Sequence, residues 1–168
     1  GWSDADHTHW SANAVVDAAA NRVYVTSPTQ GGLGGEDILL AALSLSDGEV
    51  VWAKVYGGSN SDQSRDLVLT PNGIAVVGNT SSFPVPVESL PDDLTEPLGE
   101  RDVLLFEVDL EGNLQWGRTY GGEERDKGIG VAYDDALGFT ISAYSSSPVF
   151  GNEDSSHDPI FIRTDQEG

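Results

Sequence analysis

The chain of 168 residues contains no cysteine and no methionine, and it has only two lysines, Lys54 and Lys127. The absence of cysteine excludes disulfide bonds and thiolate metal sites. No apolar run approaches the roughly 20 residues that a membrane helix needs. No signal-peptide pattern is present, as in a mature secreted protein. The sequence therefore predicts a protein without a membrane-spanning segment.

Basic residues are scarce, since 28 acidic residues stand against 8 basic ones and give a formal net charge of -20. Without a basic patch to replace the counterions on phosphates, we expect no nucleic-acid partner. Repulsion among so many carboxylates destabilises the compact state at low ionic strength and is screened by salt. The balance resembles that of proteins from halophilic archaea and salt-adapted bacteria. An acidic surface that gathers divalent cations is a second, compatible interpretation.

The most informative pattern in the chain is an internal repeat with a spacing of 64 residues. Each copy has a Trp, then Tyr-Gly-Gly beginning four residues later, and then an Asp. Short apolar runs separated by turn residues surround both copies, and a repeat of this length is typical of a β-propeller blade. The copies consist of Trp52, Tyr56, Gly57, Gly58 and Asp62, and of Trp116, Tyr120, Gly121, Gly122 and Asp126.

The flanks of the repeat extend it to a single domain over residues 1–168. An apolar run led by an Asp begins at Asp37, Asp102 and Asp158. We expect an all-β fold of propeller blades, each a four-stranded antiparallel sheet, with eleven strands and about three blade equivalents in all. The units are a partial one at about 1–30, whole ones at about 37–82 and about 102–147, and a partial one at about 158–168.

The two ends of this array differ in phase. The first segment lacks a copy of the opening strands and the last segment lacks the closing ones. Because unpaired strand edges invite pairing, the ends could complement each other within a chain or between chains, giving a homo-oligomer. The alternative is that the 168 residues are a piece of a longer propeller, which would supply the missing strands.

Each repeated residue type has a structural interpretation that we prefer. Trp52 and Trp116 are expected to bury their rings between adjacent sheets rather than to stack on carbohydrate. The paired glycines are expected to allow positive φ or close approach. Asp62 and Asp126, like the Asp residues at the strand starts, are expected to accept backbone N–H bonds, with calcium coordination as the alternative.

An irregular cluster near the N-terminus offers the one candidate metal site. His7 and His9 project to the same side of an extended chain, and Asp6 could complete a three-ligand site for zinc, nickel or copper. His157 could join them if the ends of the chain met. Terminal acidic and His-rich segments are more often solvated. We therefore predict no cofactor, with calcium or a transition metal as the alternative.

The units resemble the β-propeller repeat family of bacteria and archaea that is described as seven-bladed. The resemblance lies in the Asp-led strand, the turn at Asp47-Gly48 or Glu111-Gly112, the Trp strand ending in Tyr-Gly-Gly, and the closing run Gly78-Asn79-Thr80-Ser81-Ser82. It covers most of residues 37–164. The resemblance implies a propeller architecture and an extracellular or cell-surface location, and it brings no catalytic residue set.

No nucleophile-elbow motif or distinctive pair of catalytic acids is visible, so we predict that the chain is not an enzyme. The leading hypothesis is a noncatalytic, extracellular binding or scaffold module adapted to high salt. Its loops, above all those at 81–100 and 145–157, would contact a protein, a glycan or copies of the chain itself. The alternative is a metal-dependent hydrolase or lyase with an acidic or His-containing site on the propeller face.

Overall fold

The computed structural model describes residues 12–30, 32, 34–82, 98–150 and 157–168. In these ranges the chain forms eleven strands and a single 3-10 turn at Pro148–Phe150. The predicted all-β fold is therefore confirmed. The strands are β1 Asn13–Asp17, β2 Arg22–Gln30, β3 Glu36–Ser44, β4 Val50–Tyr56, β5 Asp62–Leu69, β6 Ile74–Thr80, β7 Asp102–Val108, β8 Leu114–Tyr120, β9 Asp126–Asp134, β10 Gly138–Ser145 and β11 Asp158–Arg163.

The strands pair in chain order and form three antiparallel sheets. Sheet 1 contains β1 to β4 and sheet 2 contains β5 to β8, each with four strands. Sheet 3 has three strands, β9 to β11, in the part of the chain that is described. Among the described strands, no sheet closes into a barrel. These are the blade-like four-stranded sheets that the repeat predicted, followed by one with three strands.

The sheets are offset from the repeat units seen in the sequence. The unit at 37–82 supplies β3 and β4 to sheet 1 and β5 and β6 to sheet 2. The first segment is therefore part of a four-stranded sheet, because β2 pairs along its whole length with β3, the strand that contains Asp37. Sheet 3 has the counterpart of that strand, β11, but no counterpart of the Trp strand among the described residues.

The core consists of two apolar layers, one on each face of sheet 2. The first layer joins Tyr24 and Leu40 of sheet 1 to Phe106 of sheet 2. The second joins Leu105 of sheet 2 to Phe139 of sheet 3. Because sheet 2 is covered on both sides, β6 and β7 are buried at every position, and each contains an apolar run of four residues, 74–77 and 103–106.

Neighbouring sheets are also linked through their first strands. The amide of Asn13 in β1 donates to the carbonyl oxygen of Arg65 in β5. Asp66 Oδ2 in β5 accepts the backbone N–H of Val131 in β9 at 3.1 Å. These contacts bring β1, β5 and β9 together at one end of the strand order, while β4 and β8 lie at the other. The described residues include no helix with the length and the apolar character needed to cross a membrane.

Candidate functional site

The repeated residues come together where the last strand of one sheet meets the next sheet. We call this region the junction, and it occurs twice. The first junction contains Trp52 to Asp62 with Asp37, and the second contains Trp116 to Asp126 with Asp102. The spacing of 64 residues therefore corresponds to a repeated three-dimensional arrangement, so that the two copies can be compared atom by atom.

The two Trp rings occupy equivalent places but bond differently. Both rings are half-buried and pack against the apolar layers, so the expectation of rings between sheets holds in part. Trp52 Nε1 donates to the carbonyl oxygen of Leu110 in the next sheet at 2.9 Å. Trp116 Nε1 donates instead to Glu107 Oε2 of its own sheet at 2.8 Å. The outer side of each ring stays accessible because the Trp strand is the edge strand of its sheet.

A basic side chain covers each indole. Lys54 Nζ lies 6.0 Å from the ring centroid of Trp52, and Arg118 Cζ lies 5.9 Å from that of Trp116. Both distances fit cation–π contacts. In a chain with so few basic residues, two of them are thus placed beside the repeated indoles.

The Tyr of each copy lies at the junction, where Tyr56 is buried and Tyr120 is half-buried. Tyr56 Oη donates to the carbonyl oxygen of Gly112 at 2.6 Å, and its ring packs 5.3 Å from that of Phe106. Burial raises the pKa of Tyr56 far above its ordinary value. Burial likewise raises the pKa of Tyr120 to about 12. Both shifts favour the protonated phenol.

The first glycine of each pair makes room for a carboxylate. A Cβ atom at Gly57 would collide with Asp37 Oδ1 and lie 3.0 Å from Asp62 Oδ2. One at Gly121 would collide with Asp102 Oδ1 and lie 2.7 Å from Asp126 Oδ2. Each pair of carboxylates thus borders the same small space, which only a glycine leaves open.

The second glycine and a serine hold the repeated Asp. Asp62 Oδ2 accepts the N–H of Gly58 at 2.8 Å and the hydroxyl of Ser82 at 2.9 Å. In the second copy, the N–H of Gly122 lies 2.9 Å and the hydroxyl of Ser147 2.8 Å from Asp126 Oδ2. The prediction that these Asp residues accept backbone N–H bonds is confirmed.

The Asp residues that begin the apolar strands also accept backbone N–H bonds. Asp37 Oδ2 accepts that of Gly34 at 3.4 Å, and Asp102 Oδ2 accepts those of Leu98 and Gly99 at 2.5 and 3.2 Å. Burial, reinforced by the nearby charge of Asp126, raises the pKa of Asp102, although the two N–H donors oppose this shift. Asp158, by contrast, lies at an exposed position.

Sequence reasoning missed three residues of the junction. Ser82 and Ser147 bind the repeated Asp, and the signal was present in the runs Thr80-Ser81-Ser82 and Ser145-Ser146-Ser147 that follow corresponding strands. Glu107 is buried and accepts bonds from Trp116 Nε1 and Thr70 Oγ1. Nothing in the repeat indicated Glu107, because its counterpart in β3 is Ala42.

The predicted metal ligands Asp6, His7 and His9 lie outside the described residues. His157 is exposed directly before β11. Within the described ranges, no group of three or more His, Asp or Glu side chains is arranged to hold a metal ion. The central parts of the two candidate binding loops, residues 83–97 and 151–156, are likewise not described.

No protein-family model matches the chain, and no curated protein matches its sequence. The resemblance to propeller repeats therefore stays a prediction, and the geometry of the junctions is the available guide to function.

Proposed function

We propose that the chain is a noncatalytic, extracellular binding or scaffold module that is adapted to high salt. This proposal is based on the hydrogen bonds that the repeated polar side chains form at the junctions. Asp62 and Asp126 each accept a backbone N–H and a serine hydroxyl, and Trp52 Nε1 and Tyr56 Oη each donate across the junction. These hydrogen bonds hold the sheets together. The same side chains therefore have few polar atoms left to bind or activate a substrate.

The distribution of charge supports the salt adaptation. Of the acidic side chains in the described ranges, the buried ones are Asp37, Asp62, Asp102, Glu107 and Asp126, all at or beside the junctions. The other described acids lie at least partly in solvent. A surface of this kind repels itself unless counterions are abundant.

The partner of the module would be a protein, a glycan or a second copy of the chain. The side chains of the repeat already form contacts within the chain at the junctions. We therefore assign the contacts with a different molecule to the loops at 81–100 and 145–157. Loops at the ends of a rigid sheet scaffold are the usual place for recognition.

Metal analysis separates this proposal from a metal-dependent hydrolase or lyase. The purified chain would be dialysed against metal-free buffer at high salt, and its metal content would be compared with that of the double variant His7→Ala/His9→Ala. His157→Ala serves as the matched control. We expect no stoichiometric metal in any of the three. Metal that is bound by the parent and the control but lost from the double variant would favour the hydrolase or lyase.

A further inference from the structure

The stack of three sheets has two free ends, and these ends differ. Sheet 2 lies between the other two, so sheet 1 and sheet 3 each have one face that no described strand covers. We call the face that points along the chain order the forward face, and the opposite one the rear face. The forward faces of sheets 1 and 2 already pack on the rear faces of sheets 2 and 3.

The forward face of sheet 3 carries an aromatic side chain where the other sheets bury leucine. Phe161 follows Asp158 by three residues, as Leu40 follows Asp37 and Leu105 follows Asp102. Leu40 and Leu105 are 0% exposed, whereas Phe161 is 80% exposed.

The surroundings of Phe161 complete an apolar patch. Phe161 pairs in register with Ser142, and Pro159 with Tyr144, which is 44% exposed. Together with Ile129 these residues line a hollow of about 190 Å³. The patch is thus apolar and lies on the face with which sheets 1 and 2 pack on the next sheet.

The rear face of sheet 1 supplies the complementary surface. Ile38 and Leu40 of β3 point into the first apolar layer, so Leu39 and Leu43 point to the rear. Val55, which is opposite Leu39 in the register, lies on the same face and is 38% exposed. The residue of sheet 2 that corresponds to Leu39 is Leu104, which is completely buried against sheet 1.

We propose that the forward face of sheet 3 packs on the rear face of sheet 1 of a second copy of the chain. The contact would repeat the two packings that exist within the stack. Because sheet 2 separates the two faces, they can meet only between copies. A head-to-tail contact of this kind generates a ring if the rotation closes and a filament if it does not. The inference specifies the self-assembly contact of the proposed scaffold role.

The contact depends on salt as well as on apolar area. Removing the exposed apolar surface of Phe161 from water favours the contact. Each copy carries a formal charge of -20, which opposes association. Since the Debye length falls to roughly 3 Å at about 1 M salt, assembly is expected at molar salt concentrations.

Light scattering after size-exclusion chromatography at molar KCl tests the proposal. Phe161→Glu blocks the forward face and Val55→Glu blocks the rear face, while Leu137→Glu adds the same charge at an exposed turn residue outside both faces. We expect the parent chain and Leu137→Glu to form species larger than the monomer. Each face variant alone should be monomeric. An equimolar mixture of the two should form a dimer, because one intact pair of faces remains.

Several results would overturn the inference. One is a monomeric parent chain at every protein concentration, and another is a Phe161→Glu variant that assembles like the parent. A mixture of the two face variants that stays monomeric would exclude the head-to-tail contact, and so would a Val55→Glu variant that dimerises alone. Val50→Glu, at an exposed position that pairs with Leu43 of the rear face, replaces Val55→Glu if circular dichroism shows that the latter does not fold. The metal content of the chain is independent of all these outcomes, so the proposed noncatalytic role is judged separately.

Discussion

The hydroxyl of Tyr56 donates a hydrogen bond of 2.6 Å to the carbonyl oxygen of Gly112, which lies in the turn between β7 and β8 of the next sheet. Gly112 has a φ of 77°, and a Cβ atom there would lie 2.9 Å from Cζ3 of Trp52. The turn thus fits closely under both aromatic side chains of the edge strand. A side chain larger than that of glycine would therefore not fit in the turn below Trp52 and Tyr56.

Tyr56→Phe is expected to lower the free energy of unfolding by about 1 to 3 kcal/mol. The substitution keeps the ring but leaves the buried carbonyl of Gly112 without its donor. Tyr144→Phe is the control, because Tyr144 is 44% exposed, and both variants are measured at a protein concentration that keeps the chain monomeric. Denaturant unfolding at high salt measures both variants. Equal stabilities for the two would show that the hydrogen bond contributes nothing.

Gly121→Ala is expected to destabilise the chain by about 1 to 3 kcal/mol through overpacking against a buried carboxylate. A Cβ atom at this position meets Asp102 Oδ1. A double-mutant cycle identifies the cause, since the same substitution in an Asp102→Ala background should cost clearly less. If Gly121→Ala costs the same in both backgrounds, the glycine is required for some other reason than the Asp102 side chain.

Much of this arrangement could be predicted from the sequence, because local rules decide it. Apolar runs bounded by turn residues located all eleven strands, and the repeat showed that Trp52 and Trp116 occupy equivalent positions. The boundaries between the sheets were harder to predict from the sequence. A repeat has no intrinsic starting point, so the sequence does not show that β2 pairs with β3 within one sheet.

The polar partners at the junctions were also harder to predict than the strands. Ser82 lies 20 residues after Asp62, and only the pairing of β5 with β6 brings the two together. Glu107 resembles any other surface acid in the sequence, yet it is buried because β7 is covered on both sides. Long-range burial of this kind depends on tertiary packing and leaves no local pattern.

Trp116→Ala is expected to destabilise the chain by about 2 to 3 kcal/mol, less than the 3 to 5 kcal/mol that is typical of a fully buried aromatic residue. The ring is half-buried and packs at its edge against Phe139, with 5.7 Å between centroids. Thermal unfolding at high salt measures the change. An unchanged melting temperature would show that the ring contributes no packing and would favour a ligand-stacking role.

Asp102→Asn tests the electrostatics of the second junction. Burial raises the pKa of Asp102 above its ordinary 3.8, so the stability that this group contributes is fully present below pH 3.8 and is lost as the pH rises through the folded-state pKa. Asn does not titrate and can still accept the N–H bonds of Leu98 and Gly99. The variant should therefore gain stability relative to the parent between about pH 4 and about pH 7. Urea unfolding at both pH values measures the difference, and a parallel response of the two proteins would contradict the raised pKa.

Lowering the salt concentration is expected to unfold the chain at least partly. At about 0.01 M salt the carboxylates interact across roughly 30 Å, whereas at about 1 M the range is roughly 3 Å. With a formal charge of -20, self-repulsion in dilute buffer opposes the compact state. Circular dichroism, recorded as KCl is diluted from molar to about 20 mM, should show loss of the strand signal, and returning the salt should restore it. A variant with several exposed acids changed to Asn or Gln, such as Glu123, Glu124 and Asp135, should tolerate lower salt than the parent because it carries less charge. A spectrum that does not change across this range would contradict the adaptation to high salt.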